Sequence, residues 1–284
     1  MLLCAAVRLP AASLALVDDT GAHLTLPGPA QRIVSLAPSA TEMLFAAGAG
    51  ARVLGTVAYA DEPDAARRVP RIGDSSAIDM ERLLRLRPDV VVFWPGGNNP
   101  AQIAQLRRLG VPLYGQQVDH LGDLGPSLRR LGILTGTAAI AAGRAGALEM
   151  QLAGLRARYA QRRPLTVLLQ TWNQPLYTVG GRQILSDALA LCGAVNIFGD
   201  LPQRSPAVQV EAVIGRDPDL IIAAAPAGAA VAWLQDWRRF ASLRAVRTGN
   251  LLADEDPALS RLGPSLIEAT TRLCAQIDAA RARR

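Results

Sequence analysis

Residues 78–94 read "IDMERLLRLRPDVVVFW", and residues 209–223 read "QVEAVIGRDPDLIIA". In both stretches a glutamate opens a short amphipathic run, a Pro-Asp pair follows seven and eight residues later, and apolar residues come next. This pattern predicts a short helix followed by a buried strand. Because Glu81 and Glu211 are 130 residues apart, the repeat predicts two similar α/β domains.

The length of the chain agrees with two domains. It has 284 residues, of which 50% are hydrophobic, and single cores tend to divide before a chain reaches about 300 residues. Apolar runs such as "RIVSLA" (32–37), "DVVVFW" (89–94), "TVLLQTW" (166–172) and "DLIIAAA" (219–225) alternate with amphipathic segments. Nearly continuous apolar strands that alternate with helices indicate parallel sheets covered on both faces.

These features predict an α/β fold with two Rossmann-like lobes, whose parallel-rich sheets are joined by one long rigid helix, and a ligand cleft between the lobes. We expect residues 1–16 to be the remnant of an export signal, 17–123 the N-terminal lobe, 124–163 a linking helical segment and 164–284 the C-terminal lobe. The linking segment contains Gly143, Gly146 and Gly154, which weaken a helix interior. We expect close approach to a domain surface to explain these glycines.

The composition argues against several classes of function. All 30 basic residues are arginine, so a phosphate-binding loop with lysine and a pyridoxal Schiff base are both excluded. The arginines are scattered singly or in pairs, whereas nucleic-acid binding needs a clustered stripe. The two histidines, His23 and His120, and the three cysteines lack zinc-site spacing, and no G-x-S-x-G motif occurs. We therefore expect no enzyme activity, no metal, no cofactor and no nucleic-acid partner.

The candidate ligand site consists of residues that follow the predicted strands. In open α/β sheets, ligands bind beyond the carboxyl ends of the strands. Those positions hold Pro38, Ser39, Tyr59, Trp94, Gly96, Gly97, Trp172 and Tyr177. Large aromatic side chains there suit stacking on a planar or bulky ligand, although they could instead anchor loops to the core. Trp233 and Trp237, four residues apart in a predicted helix, are interpreted as core residues.

A second group of candidates lies in "DEDPALSRLGPS" (254–265), after the last predicted strand. Arg261 could donate hydrogen bonds to a carboxylate, amide or phosphate of the ligand, with Asp256 and Ser260 beside it. The alternative is that Arg261 pairs with Asp254 or Asp256 on the surface.

Glu81 and Glu211 each lie in the first turn of a predicted helix, where the helix dipole stabilises a carboxylate. Their matched positions also suit a different role. Two equivalent lobes would each present one carboxylate to a two-fold partner that carries basic pockets.

Several motifs together resemble the periplasmic cobalamin-binding proteins of ABC importers. They are "RIVSLAPSATEMLFAAGAGARVLG", "DMERLLRLRPDVVVFWPGGN", "YTVGG" and the long helix, and the likeness covers about residues 30 to 280. "RIVSLAPSATE" is shared with siderophore and haem binders, whereas "WPGGN", its spacing to Tyr59 and the later "YTVGG" favour cobalamin.

The resemblance implies that Tyr59, Trp94, Tyr177 and Arg261 contact a corrinoid. It also implies that Glu81 and Glu211 bind arginines of a dimeric permease in the inner membrane, and that Cys192 and Cys274 form a disulfide in the oxidising periplasm. We therefore expect a periplasmic solute-binding protein that is a monomer when free. The alternatives are a haem or iron-siderophore binder of the same fold, with Tyr59 or Tyr177 as an iron ligand, and, from another class, a two-lobed enzyme.

Overall fold

The computed structural model describes residues 13–74, 76–226 and 228–283, which form two units. The first unit contains the described residues up to Gln117 together with Pro126–Arg144. The second contains Val118–Gly125 and the described residues from Ala145 onward. Most of the expected signal remnant lies outside the described residues, and the first strand begins at Leu14, before the expected boundary.

The first unit opens with an antiparallel hairpin and continues as a parallel sheet. The hairpin pairs β1 (Leu14–Val17) with β2 (His23–Leu26). The sheet has the order β4-β3-β5-β6, with β3 at Ile33–Ser35, β4 at Val53–Gly55, β5 at Val90–Phe93 and β6 at Leu113–Gly115. All three pairings are parallel. Its helices are α1 (Pro38–Ala46), α2 (Met80–Arg85) and α3 (Pro100–Arg108), with 3₁₀ turns at Gly50–Arg52 and Asp64–Arg68.

The second unit is built around β7 (Leu165–Trp172). Its sheet has the order β11-β10-β7-β8, and β9 (Ala194–Asn196) pairs with the start of β7. Only β8 (Tyr177–Thr178) is antiparallel, whereas β10 (Leu220–Ala224) and β11 (Leu251–Asp254) are parallel. The helices after β8 are α6 (Ile184–Leu191), α7 (Val210–Arg216), α8 (Ala229–Trp237), α9 (Arg244–Arg247) and α10 (Ser265–Arg281). Two 3₁₀ turns are at Leu121–Asp123 and Pro257–Ser260.

The repeated Pro-Asp pair has the same structural role in both units. Oδ2 of Asp89 accepts a hydrogen bond from the amide of Arg32 at 2.9 Å, at the start of β3. Oδ2 of Asp219 accepts one from the amide of Thr166 at 2.9 Å, at the start of β7. Asp89 therefore joins the chain just before β5 to the start of β3, with which β5 pairs. Asp219 joins the chain just before β10 to the start of β7, with which β10 pairs. The residue before each proline, Arg87 or Asp217, has a positive φ in both copies.

The parallel-rich sheets in two units confirm the predicted α/β fold class. The linking segment, however, is not one helix from residue 124 onward. α4 (Leu124–Thr135) ends before Gly136, which has a φ of +68°, and α5 (Ala138–Tyr159) then runs for 22 residues, or about 33 Å. Gly136 breaks the helix because its left-handed conformation ends the α4 hydrogen-bond pattern.

The expected explanation of the α5 glycines is wrong. A Cβ added at Gly143, Gly146 or Gly154 would meet no neighbouring atom within 4 Å. The close approaches occur instead at glycines of α4, where a Cβ on Gly132 would overlap Ala141.

Pro38 and Ser39, which follow β3 closely, form the first turn of α1, where proline needs no amide hydrogen-bond donor. Among the described residues, no helix combines the length and apolar character that a membrane span requires.

A disulfide joins α6 to α10 in the second unit. It links Cys192, the residue that caps the end of α6, to Cys274 in the middle of α10, and both side chains are fully buried. This confirms the pairing that the resemblance implied. The guanidinium of Arg281 binds the same region, donating from Nη2 to the carbonyl of Gly193 at 3.0 Å and from Nε to that of Arg163 at 2.9 Å.

Candidate functional site

Tyr59 and Trp94 lie beyond the carboxyl ends of β4 and β5 in the first unit. Tyr59 has a φ of +64° and is 80% exposed. A positive φ is uncommon for a bulky residue and marks a local constraint of the backbone. The phenol ring is therefore presented to solvent at the edge of the sheet where α/β proteins bind ligands.

The indole of Trp94 packs against two glycines. A Cβ added at Gly96 would lie 2.9 Å from Nε1 of Trp94, and one added at Gly97 would overlap the six-membered ring. Only glycine therefore allows the indole to lie flat over this turn. This gives Gly96 and Gly97, predicted as ligand contacts, a structural role of their own.

Asn98, which the sequence reasoning missed, fixes the same turn. Its side chain is buried, accepting from the amide of Trp94 at 2.7 Å and donating to the carbonyl of Leu36 at 2.7 Å. The turn after β5 is thereby tied to the end of β3. Ser39 is buried and Pro38 half-buried at the start of α1, which follows the end of β3 closely.

Trp172 is the corresponding aromatic residue of the second unit, at the end of β7. It is 54% exposed, and its Nε1 donates to the carbonyl of Gln174 at 3.2 Å. Its ring meets that of Trp233 edge to face, with centroids 6.1 Å apart. Trp233, predicted as a core residue, is only partly buried and supports Trp172, whereas Trp237 is fully buried as predicted.

An open pocket of about 540 Å³ lies beside Trp172 within the second unit. Its walls come from the carboxyl ends of β7 and β10 and from the loop after β11, and they are mostly apolar; they include Leu185, Pro226, Pro257 and Leu259. Such a cavity, with few polar groups, is typical of a site for a large and partly apolar ligand.

A buried polar network supports this edge, and the sequence reasoning missed it as well. Gln170, fully buried in β7, accepts from Nε1 of Trp237 at 2.8 Å and donates to Oδ1 of Asn173 at 2.9 Å. Asn173 in turn donates to Oδ2 of Asp236 at 3.1 Å. The sequence signal for this network was a glutamine within an apolar strand, because a buried amide side chain requires hydrogen-bond partners.

In the acidic loop after β11, the carboxylate of Asp256 is bound by other residues of the same unit. Asp256 caps a 3₁₀ turn by accepting from the amide of Ala258 at 2.9 Å, and it pairs with the guanidinium of Arg272. Partial burial raises the pKa of Asp256, but these hydrogen bonds and the nearby arginine charges outweigh that effect and hold the pKa below its usual value. Arg261 is half-buried and contributes to that lowering. Asp254 is buried, and desolvation raises its pKa; the side chain of Ser260 lies outside the described part.

Tyr177 lies in β8, opposite Trp172 on the antiparallel partner strand, and is half-buried. Glu81 and Glu211 lie in the first turns of α2 and α7, and both are exposed. Oε1 of Glu81 accepts from Nη2 of Arg85 at 2.5 Å. Glu211 borders a second pocket of the same unit, of about 340 Å³.

His120 forms a hydrogen bond with a carboxylate of the same unit. Its Nδ1 lies 2.8 Å from Oδ2 of Asp187, and this hydrogen bond and charge raise the pKa of the imidazole. In residues 13–74, 76–226 and 228–283, no group of three or more His, Cys, Asp and Glu side chains is arranged to hold a metal ion.

The comparisons with known proteins agree with this architecture. The sequence model of the family described as periplasmic binding protein matches residues 33–258. The vitamin B12-binding protein of Vibrio cholerae serotype O1 is 31% identical over 261 residues, which cover 92% of this chain and 94% of that protein.

Two solved structures are similar over most of the chain. The periplasmic vitamin B12-binding protein of Vibrio cholerae has a TM-score of 0.82 at 32% identity, covering 90% of this chain and 99% of that one. The periplasmic haem-binding protein of Roseiflexus sp. RS-1 has a TM-score of 0.76 at 25% identity, covering 88% and 98%. The chain belongs to the periplasmic binding protein family.

Proposed function

We propose that this chain binds cobalamin or a related corrinoid in the periplasm and delivers it to the permease of an ABC importer. The observation that carries the proposal is the set of aromatic side chains at the carboxyl edges of both sheets: Tyr59 and Trp94 in the first unit, Trp172 and Tyr177 in the second. A corrinoid offers a flat macrocycle and bulky substituents, which suit contact with several rings. The similar relatives named for vitamin B12 support this choice of ligand.

The residues play different parts in the proposal. Tyr59, Trp94, Trp172 and Tyr177 contact the ligand directly. Pro38, Ser39, Gly96 and Gly97 shape the first edge, and Arg261 offers hydrogen bonds to amide side chains of the corrin, with Asp256 and Ser260 in the same loop. The chain performs no chemistry on the ligand and needs no cofactor. It is a monomer when free, and Glu81 and Glu211 contact basic side chains of the permease.

The test is titration calorimetry with cyanocobalamin, with base-free cobinamide and with haemin. We expect saturable binding of a corrinoid at a one-to-one ratio. Saturable binding of haemin without binding of either corrinoid would contradict the proposal and favour the haem alternative.

A Tyr59→Phe variant separates the two ligands by mechanism. The variant keeps the ring that stacks on a corrin, so we expect cobalamin affinity to change less than about 3-fold. A phenolate that coordinates haem iron cannot be replaced by phenylalanine. The haem alternative would be established if the wild type bound haemin but not cobalamin, and if the variant lost the haemin absorption band.

A further inference from the structure

The two carboxylates proposed for permease contact are not equivalent. Glu81 is 79% exposed in its side chain and is held by Arg85, one helical turn away. Glu211 has no hydrogen-bond or ion-pair partner within the described residues, and it borders the 340 Å³ pocket. The sequence repeat, which matches the two glutamates, does not reveal this difference.

The pocket beside Glu211, called the Glu211 pocket here, has an apolar floor and a charged rim. It lies between the turn Asn173–Leu176, the start of α7 and the end of α8. Leu176 and Trp237 form its floor and belong to the core of the unit. The rim carries the carboxylates of Glu211 and Asp236, against one cation, Arg239, whose guanidinium carbon lies 4.8 Å from the ring centre of Phe240.

We propose that the Glu211 pocket receives one long basic side chain of the permease, and that this contact holds the complex together longer than the contact at Glu81. The inference rests on the proposed function. An arginine or lysine can lay its apolar stem on the floor while its cation meets Glu211 and Asp236. The net negative rim favours a cation over an anion or an apolar residue.

The physical reason for the inequality is desolvation. A charge pair that forms inside a concave, partly apolar pocket excludes water and slows dissociation, whereas an exposed pair mainly changes the association rate. Glu81 already pairs with Arg85 in the same helix, so a permease cation at Glu81 must displace this exposed, water-screened contact.

The pocket is also rigidly supported, which lowers the entropy lost on binding. Gln170 fixes both Trp237 on the floor and Asn173 on the rim, and Asn173 fixes Asp236. None of these hydrogen bonds uses the carboxylate of Glu211, which therefore stays available to a partner.

The first experiment measures complex formation between the full chain and its ABC importer in lipid nanodiscs, by surface plasmon resonance. We expect Glu211→Gln to raise the dissociation rate about 10-fold, because a desolvated charge contact is lost. We expect the matched Glu81→Gln variant to lower mainly the association rate, with a dissociation rate within about 2-fold of wild type and an effect that fades as salt increases. Equal effects of the two variants on dissociation would overturn the inference.

The second experiment needs no permease. Labelling with ¹⁵N gives separate indole signals for the four tryptophans, and the chain is titrated with N-acetyl-arginine methylamide or with its uncharged citrulline counterpart. We expect the arginine compound to shift the Trp237 signal saturably, and the citrulline compound to do so far less. Trp94, in the first unit, serves as the internal control. Equal shifts with both compounds, or none at Trp237, would refute the proposed occupant.

Failure of the inference and failure of the proposed function give different results. If wild type binds both corrinoid and importer but the two glutamine variants behave alike, only the inequality of the two contacts is wrong. If wild type binds no importer, permease delivery fails and the inference fails with it. Corrinoid affinity, measured for each variant, should stay at the wild-type value.

Discussion

Replacing Trp172 by alanine should weaken corrinoid binding strongly without unfolding the protein. The indole is 54% exposed in the free chain. A tryptophan side chain presents up to about 250 Å², so roughly 130 Å² is left for a ligand to cover. At about 25 cal/mol per Å², covering that area contributes about 3 kcal/mol.

The predicted loss is therefore about 2 to 3 kcal/mol, or roughly 30- to 160-fold in the dissociation constant. Titration calorimetry with cyanocobalamin measures it directly. The matched control is Val195→Ala, because Val195 is 51% exposed but lies in β9, which pairs with the beginning of β7, away from the carboxyl edge. We expect the control to bind within about 2-fold of wild type.

The prediction fails if Trp172→Ala binds within about 3-fold of wild type while its circular dichroism and melting temperature are unchanged. That result would mean that the ligand does not cover the exposed face of this ring. Equal weakening by Val195→Ala would point instead to a general loss of structure in the second unit.

Three more predictions follow from particular contacts. Gly97→Ala should lower corrinoid affinity about 10-fold, because a methyl group there overlaps the Trp94 ring and moves it, and calorimetry should show no such effect for Gly143→Ala in α5, where a Cβ meets no neighbouring atom within 4 Å. The double variant Cys192→Ala/Cys274→Ala should lower the unfolding free energy of the second unit by about 4 kcal/mol, because the disulfide closes a loop with a sequence separation of 82. Urea titration with ¹⁹F-labelled tryptophan checks this, since Trp94 reports the first unit and the other tryptophans the second; equal shifts in both would contradict it. The pKa of His120 is raised in the folded chain, so its pair with Asp187 should stabilise fully below the unfolded pKa of about 6.5 and lose this contribution as the pH rises through the folded pKa. Because the ring is largely exposed, the gain stays under about 1 kcal/mol, and a His120→Gln variant should flatten the pH dependence of unfolding above pH 6.

The alternation of strands and helices could be predicted because each long strand is a run of buried apolar residues. β8 has only two residues, and only the first of the three residues of β9 is buried, so neither strand shows a run of buried apolar residues and both were missed. The break between α4 and α5 depends on the conformation of one glycine, Gly136, in a stretch whose composition is otherwise helical. The aromatic candidates did lie at the predicted edges, because a position after a strand follows from the chain order alone.

The buried polar residues could not be found in the same way. Asn98 and Gln170 bind partners 62 and 67 residues away in the sequence, and no local pattern encodes such a pairing. The difference between the surroundings of Glu81 and Glu211 could not be predicted for the same reason, because it depends on contacts between residues far apart in the sequence. Arg85 lies four residues from Glu81 and is visible in the sequence, whereas the pocket beside Glu211 is assembled from three separate segments.

The aromatic residues at the two edges differ in how firmly each is held, and this difference should decide their contributions to affinity. The ring of Trp94 packs against Gly96 and Gly97, so it loses little conformational freedom when a ligand covers it. Trp172 is held by a hydrogen bond to the carbonyl of Gln174 and by its edge-to-face contact with Trp233.

Tyr59 has most of its surface in solvent and must be ordered by the ligand itself. Ordering a side chain at an interface costs about 0.5–1.5 kcal/mol, which offsets part of the gain from covering its ring. Per unit of area covered, the two tryptophans should therefore contribute more to affinity than the tyrosine. The glycines and hydrogen bonds that position them belong to the binding site as much as the rings do.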